Sequence, residues 1–179
     1  PFDVRKIYYD IILQRRPSFE INSNLLYSNN LGLIFKRGFD DSIAPPVFVS
    51  NIILDRRFWS RPGSNGADYI APLYLYPEKT NQISTEETPE RKPNLNEAIM
   101  EKIAKDLNLA YIEDDNWVVD LAAGFSGTLY PTDILDYIYA ILHSPIYREK
   151  YNEFLKIDFP RVPYPKDKAR FWQLVKLGG

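Results

Sequence analysis

Eight basic side chains and one asparagine sit where a chain can offer hydrogen-bond donors to the edges of nucleic-acid bases. Lys36 and Arg37 close a strand-like run, and Gly38 behind them permits a tight turn. Arg56 and Arg57 follow a second such run that reaches Asp55, and Arg61 and Asn65 accompany the glycine loop of residues 63–66. Arg15 and Arg16 are weaker members of the set, as is Arg5. A guanidinium grips the O6 and N7 edge of guanine with two parallel hydrogen bonds, and an asparagine amide does the same for adenine. Loops at strand ends are suitable carriers for such groups. Each arginine could equally serve as a surface ion pair or a phosphate clamp, which carries no sequence information.

Catalytic chemistry is harder to find. A base methyltransferase needs an Asn/Asp-Pro-Pro-aromatic loop for the target amino group and a Gly-rich turn for the methyl donor. Pro45-Pro46 stands between Ala44 and Val47 and does not fit the first. Gly124-Phe125-Ser126-Gly127 lacks the strand-then-helix context of a cofactor loop and reads as a plain turn. No phosphate-binding P-loop is present. Glu113-Asp114-Asp115 is a run of carboxylates in a loop pattern, expected to be a solvated turn. His143, the single histidine, has no nucleophile or second ligand beside it in the pattern. At a helix end its ring can bond a free carbonyl, which is a structural role.

These residues hang on a readable order of elements. Residues 2–9, 31–37, 47–54 and 69–76 are rich in β-branched and aromatic side chains and predict strands. In the last, Leu73 and Leu75 should face one way and Tyr74 and Tyr76 the other. Its tyrosine-rich wording fits core and edge packing better than a base-stacking platform. Asn29-Asn30 and residues 39–46 predict turns, and residues 77–93, rich in Thr, Glu and Pro, a mobile connection. Asn94 and Glu97 have capping-box spacing, ahead of an apolar stripe at Leu95, Ile99, Ile103 and Leu107. A short extended patch should lie at 111–119.

Residues 131–165, PTDILDYIYAILHSPIYREKYNEFLKIDFPRVPYP, predict two helices joined at a proline. Thr132 is the expected N-cap of the first, with Asp133 at its positive end. Its apolar face is Ile134, Leu135, Ile138, Ile141 and Leu142, and it should stop near His143, ahead of Pro145. Ser144 and Pro145 restart the chain as N-cap and first helical residue. Tyr147, Tyr151, Phe154 and Leu155 form the second stripe, with Arg148, Glu149, Lys150 and Glu153 mostly on the wet side. Pro160, Pro163 and Pro165 then hold an extended exit. A final short helix spans 168–177. The fold class is therefore α+β, a β-rich N-terminal half followed by a helical C-terminal half with a helix–proline–helix hairpin.

The wording of 131–165 resembles the C-terminal part of single-chain restriction–modification enzymes of the Type ISP group. It is also similar to the wider set of adenine methyltransferases fused to a target-recognition domain. PFDVRKIYYD at 1–10, SNNLGLIFKRGF at 28–39 and VFVSNIILD at 47–55 match the same group. So do PLYLYP at 72–77, RKPNLN at 91–96 and FWQLVKLGG at 171–179, in the same order. The resemblance implies a domain that recognises double-stranded DNA, with residues 1–93 as the recognition region. Residues 94–179 would pack on it and on the methyltransferase domain of the same parent chain. It further implies that S-adenosylmethionine binds in the parent rather than in this chain, which itself carries no catalytic residue, cofactor or metal. The parent would be a site-specific adenine methyltransferase, with or without endonuclease activity. Arg161, in the family-like DFPR wording, is expected to be structural.

Composition sets the bounds. The chain has 179 residues, 45% apolar and 15% aromatic, with thirteen tyrosines: enough for one cored domain, with or without a helical appendage. It has no cysteine, which excludes disulfides and thiolate metal sites. No run of eighteen apolar residues and no leader pattern appear, so a cytoplasmic protein is expected. A start at Pro1 instead of Met suggests a piece of a longer protein. The net charge is −2, unusual for a partner of DNA, but residues 1–62 hold nine Lys/Arg against six Asp/Glu. The rest holds thirteen against eighteen, so the basic surplus lies in the N-terminal third. A docking domain with an aromatic interface to another subunit is the competing expectation; salt-sensitive binding separates the two.

Overall fold

The computed structural model describes residues 19–26, 29–36, 44–54, 68–77, 90–113 and 127–179. Among the sequence readings, the strand at 2–9, the glycine loop at 63–66 and most of the connection at 77–93 lie outside these residues. The described order is α1 (Phe19–Asn22), a 3-10 turn (Ser23–Leu26), β1 (Gly32–Lys36), β2 (Phe48–Ser50), β3 (Asp68–Pro72), β4 (Tyr74–Leu75) and β5 (Lys92–Pro93). Then come α2 (Glu97–Leu107), β6 (Ala110–Tyr111), β7 (Thr128–Leu129), α3 (Pro131–His143), α4 (Pro145–Lys150), α5 (Asn152–Ile157) and α6 (Lys168–Gly178). This is the expected α+β order, with sheets first and helices after.

β1 is the central strand of a three-stranded antiparallel sheet in the order β2-β1-β3. Its pleat separates Gly32, Ile34 and Lys36, all buried, from Leu33 and Phe35, half-buried on the other face. Leu33 and Phe35 pack with Ala44 and Val47 against Leu142, Tyr147 and Leu155 of the helical half. A second core joins α2, α3 and α6 through Met100, Ile103, Leu107, Ile134, Tyr137 and Phe171. β2 is shorter than the run at 47–54 suggests. The Ser50 hydroxyl accepts from Ile52 N–H at 3.1 Å and folds the chain into a turn there.

The strand predicted at 69–76 breaks at Leu73, whose N–H leaves the sheet to donate to the Leu31 carbonyl at 2.7 Å. The break undoes the expected alternation: Leu73 and Tyr74 are both buried and Leu75 is exposed. Asn30, expected only in a turn, is a buried clamp on the restarted strand. Its amide oxygen accepts from Tyr74 N–H at 3.0 Å, and its amide nitrogen donates to the Tyr74 carbonyl at 2.8 Å. Asn24 repeats the device one step along, accepting from Tyr76 N–H at 2.7 Å. Two side-chain amides thus stand in for a neighbouring strand and satisfy buried backbone groups.

Helix ends follow local chemistry, with two corrections. Asn96, rather than Asn94, caps α2, its carboxamide accepting from Ile99 N–H at 3.1 Å. Asn94 instead donates to the Pro72 carbonyl at 2.9 Å, tying the helix entry to β3. α3 starts one residue earlier than its expected cap at Thr132, with Tyr130 as the cap residue and Pro131 in the first turn. Asp133 reaches back to accept from Tyr130 N–H at 2.8 Å. α3 ends at His143 as expected, and Ser144 caps α4 with its hydroxyl facing Tyr147 N–H at 3.5 Å. The second helix of the hairpin is divided at Tyr151, where φ is −108° and ψ 15°.

Arg148 is the main departure in this region. It is half-buried instead of wet, donating to the Ala44 carbonyl at 2.8 Å, Pro45 at 3.2 Å and Leu142 at 3.3 Å. Pro45 and Pro46 leave that loop short of donors, and the guanidinium supplies them. His143 does the expected structural work nearby, its Nε2 standing 2.9 Å from the Val47 carbonyl. The exit of residues 159–167 is extended, as its prolines require. Phe159 is half-buried, Val162 packs into both cores and Pro165 is buried. This inward spacing of three is that of a polyproline helix. Tyr147 and Tyr137 hydroxyls hold the exit from below, donating to the Arg161 carbonyl at 2.9 Å and the Pro163 carbonyl at 3.0 Å.

α6 closes the second core by lying against α3. The approach is so tight at Gly178 that any Cβ there would overlap the Asp136 backbone carbonyl. Asp136 is caught in this contact. Burial, and then the neighbouring Asp133 charge, push its carboxyl from the ordinary 3.8 up to about 6.

Two measurements check this packing. Arg148→Met should destabilise by about 2–3 kcal/mol, because charge-assisted bonds to loop carbonyls are lost, and Arg148→Lys should recover only part of it. Thermal unfolding of the two variants reads the difference. The raised Asp136 carboxyl binds its proton more tightly folded than unfolded, so this group stabilises as pH falls from 7 towards 4 and weighs against the fold above 6. Asp136→Asn should therefore raise stability at pH 7.5 by about 1 kcal/mol, discounted for partial solvent access, and lose that gain near pH 4.

Candidate nucleic-acid interface

The pleat of β1 decides the position of Lys36. It shares the buried face with Gly32 and Ile34, so its ammonium turns inward. Its side chain is 2% exposed, and Nζ lies 3.3 Å from Oδ1 of Asp68, itself 6% exposed. Lys36, expected as a nucleic-acid contact, is thus buried in this geometry with its charge facing Asp68. The signal was available in the sequence, since Lys36 stands two residues beyond Ile34 in an alternating strand, and Asp68 opens the next run. Of the other candidates, Arg37, Arg56, Arg57, Arg61, Asn65, Arg15, Arg16 and Arg5 lie outside the described residues.

What the structure does describe is where the segments bearing most of them are rooted. Lys36 is the last residue of β1, Asp68 is the first of β3, and the two are register partners. In the sequence Arg37 follows the last residue of β1, and the run carrying Arg56, Arg57, Arg61 and Asn65 precedes the first residue of β3. β2 enters from the same end, with Phe48 opposite Ile34. β2 and β3 both run antiparallel to β1, so β2 ends at the Gly32 end of the sheet and β3 begins at its Lys36 end. The buried ion pair fixes both roots at one end of a rigid sheet.

An aromatic corner stands at that end, on the opposite face of the strands. Phe35 and Tyr69 are stacked with centroids 6.1 Å apart, and Phe159 meets them edge-on at 5.7 and 5.1 Å. Tyr69 remains 45% exposed. Arg161 follows two residues later with its side chain 79% exposed, 3.5 Å from Asp158. Sequence reasoning missed Tyr69 as part of this end because the register between β1 and β3 is not visible in the chain order.

The remaining sequence features are described in part. Gly127 of the Gly124–Gly127 motif has φ +82°, the left-handed value a turn glycine supplies, and leads directly into β7. Its companions in the motif, and Asp114 and Asp115, lie outside the described residues. A cavity bounded by Phe35, Lys36, Val47, Leu142, Arg148 and Leu155 has a volume of about 10 Å³, room for a single water. Among the described residues no group of acidic side chains and histidine is placed to hold a metal ion. No helix among them is long and apolar enough to cross a membrane.

The arrangement is an antiparallel sheet backed by helices, and the comparisons agree with it. The family of Type ISP C-terminal specificity domains matches residues 1–179, and the chain belongs to that family. Among solved structures it is similar to the cryoEM structure of a DrdV–DNA complex, with a TM-score of 0.52 and 21% identity. That likeness covers 83% of this chain and 11% of the other, so this chain spans only a small part of the length of that relative. At this identity the likeness establishes a shared fold. No curated protein matches.

The pinning of the two roots is testable by stability. Removing one partner of a buried pair leaves an uncompensated charge, so Asp68→Asn should cost about 3–5 kcal/mol. Lys36→Met combined with Asp68→Leu should recover most of that loss. Chemical unfolding of the single and double variants distinguishes a buried pair from a solvated one, for which both losses would stay below about 1 kcal/mol.

Proposed function

We propose that this chain reads a short double-stranded DNA sequence for a parent restriction–modification enzyme, as a specificity domain should. The observation that carries the reading is the shared root of the two candidate segments at the Lys36–Asp68 end of the sheet. A rigid base with two adjacent connections lets a few side chains meet neighbouring base pairs in one groove. Arg37, Arg56, Arg57, Arg61 and Asn65 are the side chains proposed to make these contacts, with Arg15 and Arg16 as weaker candidates. Arginine at guanine and Asn65 at adenine would supply discrimination. Phosphate contacts would supply most of the affinity.

In the parent, the duplex so positioned would be offered to a methyltransferase domain that turns an adenine out of the stack. S-adenosylmethionine would be bound by that domain. The solved DrdV–DNA complex, whose fold this chain shares in part, supports a DNA-facing role for this architecture. Cytoplasmic residence follows from such a role.

Binding of the chain to a random-sequence duplex pool, at low and then moderate salt, with sequencing of the bound fraction, tests the reading. Salt-sensitive binding with a short enriched motif is expected, and a combined Arg56→Ala and Arg57→Ala variant should weaken or broaden that motif. A folded chain that binds no duplex even at low salt would falsify autonomous DNA recognition and leave the docking role to be pursued.

A further inference from the structure

A second basic surface lies in the half of the chain whose overall charge is acidic. The extended exit turns Val162 and Pro165 inward and leaves Arg161, Tyr164 and Lys166 exposed. It ends at α6, where Lys168 and Arg170 are exposed in the first turn. Lys168 Nζ donates to the Asn108 carbonyl at the C-cap of α2, at 3.4 Å. That contact brings in Lys102 and Lys105 of α2, both exposed, and Lys102 Nζ stands 5.9 Å from the centre of the Tyr164 ring. Arg161, Lys166, Lys168, Arg170, Lys102 and Lys105, from three neighbouring segments, are thus all exposed, and Arg161 follows Phe159 of the aromatic corner.

Carboxylates are interspersed with these cations. Glu101 and Asp106 are exposed on α2, and Asp167 is occupied as the N-cap of α6, accepting from Arg170 N–H at 2.6 Å. Asp158 faces Arg161 at 3.5 Å. Among the described residues Lys102, Lys105, Lys166, Lys168 and Arg170 have no carboxylate within 4.0 Å. Unpaired, exposed lysines and arginines held along an extended line are suited to a linear polyanion. The exit, nine residues of extended chain, reaches at most about 30 Å, enough to follow many phosphates of a duplex.

We infer that residues 159–170, with Lys102 and Lys105, form a sequence-independent track for the phosphate backbone of the same duplex. The inference rests on the DNA-reading role, whose base contacts it places at the sheet end where the track begins. The track adds affinity and direction, and the sheet-end connections add choice of sequence. Tyr164 packs beside Lys102 and stiffens the middle of the line.

The test combines Lys102→Gln, Lys105→Gln, Lys166→Gln and Arg170→Gln in the 179-residue chain. All four side chains are exposed and outside the cores, so the melting temperature should stay within about 2–3 °C of the parent. The dependence of log affinity on log salt for a random duplex should become shallower by about 2–4, and binding in moderate salt at least about tenfold weaker. The enriched motif should be unchanged. The charge-preserving set Lys102→Arg, Lys105→Arg, Lys166→Arg and Arg170→Lys should keep the original slope, which controls for any folding defect. A neutralised variant that keeps the parent slope overturns the track and leaves sequence reading intact. A shallower slope in a chain that selects no motif keeps the track and overturns sequence reading. A folded parent chain with no salt-sensitive duplex binding overturns both.

Discussion

The guanidinium of Arg148 joins the two halves of the molecule. It reaches from α4 to the carbonyls of Ala44 and Pro45, more than a hundred residues earlier, and also holds the Leu142 carbonyl at the end of its own hairpin. Buried carbonyls without donors would oppose the packing of that loop on the helices. With them satisfied, Ala44 and Val47 can join Leu142, Tyr147 and Leu155 in one core, and Leu33 and Phe35 of the sheet rest on it. His143 adds a second tie at Val47. The orientation of the sheet, and so the direction in which its connections project, depends on these bonds.

The Lys36–Asp68 pair works on a smaller scale. A buried ion pair adds little net stability, because desolvation offsets most of the attraction. Its effect is positional. Sliding β3 by one residue against β1 would turn Asp68 to the other face and separate the pair, so one register is favoured over its neighbours. That register decides which residues of the two connections stand side by side.

Much of the architecture was legible in the chain because short-range rules govern it. Proline at 131 and 145, Ser144 and the apolar spacing of α3 specify the hairpin, and Lys168 to Gly178 forms the helix that their pattern predicts. Long-range pairing was not legible. Asn94 looked like a cap because nothing in the chain shows the Pro72 carbonyl that claims it. Asn30 looked like a turn residue because its partner at Tyr74 lies forty-four residues away. Lys36 looked solvent-facing because charge alone does not reveal a buried partner. Arg148 looked wet because its helix face points at a loop that precedes it by a hundred residues. In each case a polar side chain was misread where its partner came from another element.

The same long reach has a bearing on how the chain comes together. The sheet-to-helix face waits for residues 142–155 to cover Leu33 and Phe35. Closing a loop of about a hundred residues has an entropic cost that only grows slowly with length, but it delays the contact in time. During synthesis, that face of the N-terminal sheet is complete in sequence long before its cover emerges, and Phe35 and Leu33 stay open to other chains in the interval. Helices form far faster than a chain is made, so the time taken to synthesise the residues up to 155 sets how long that face remains uncovered.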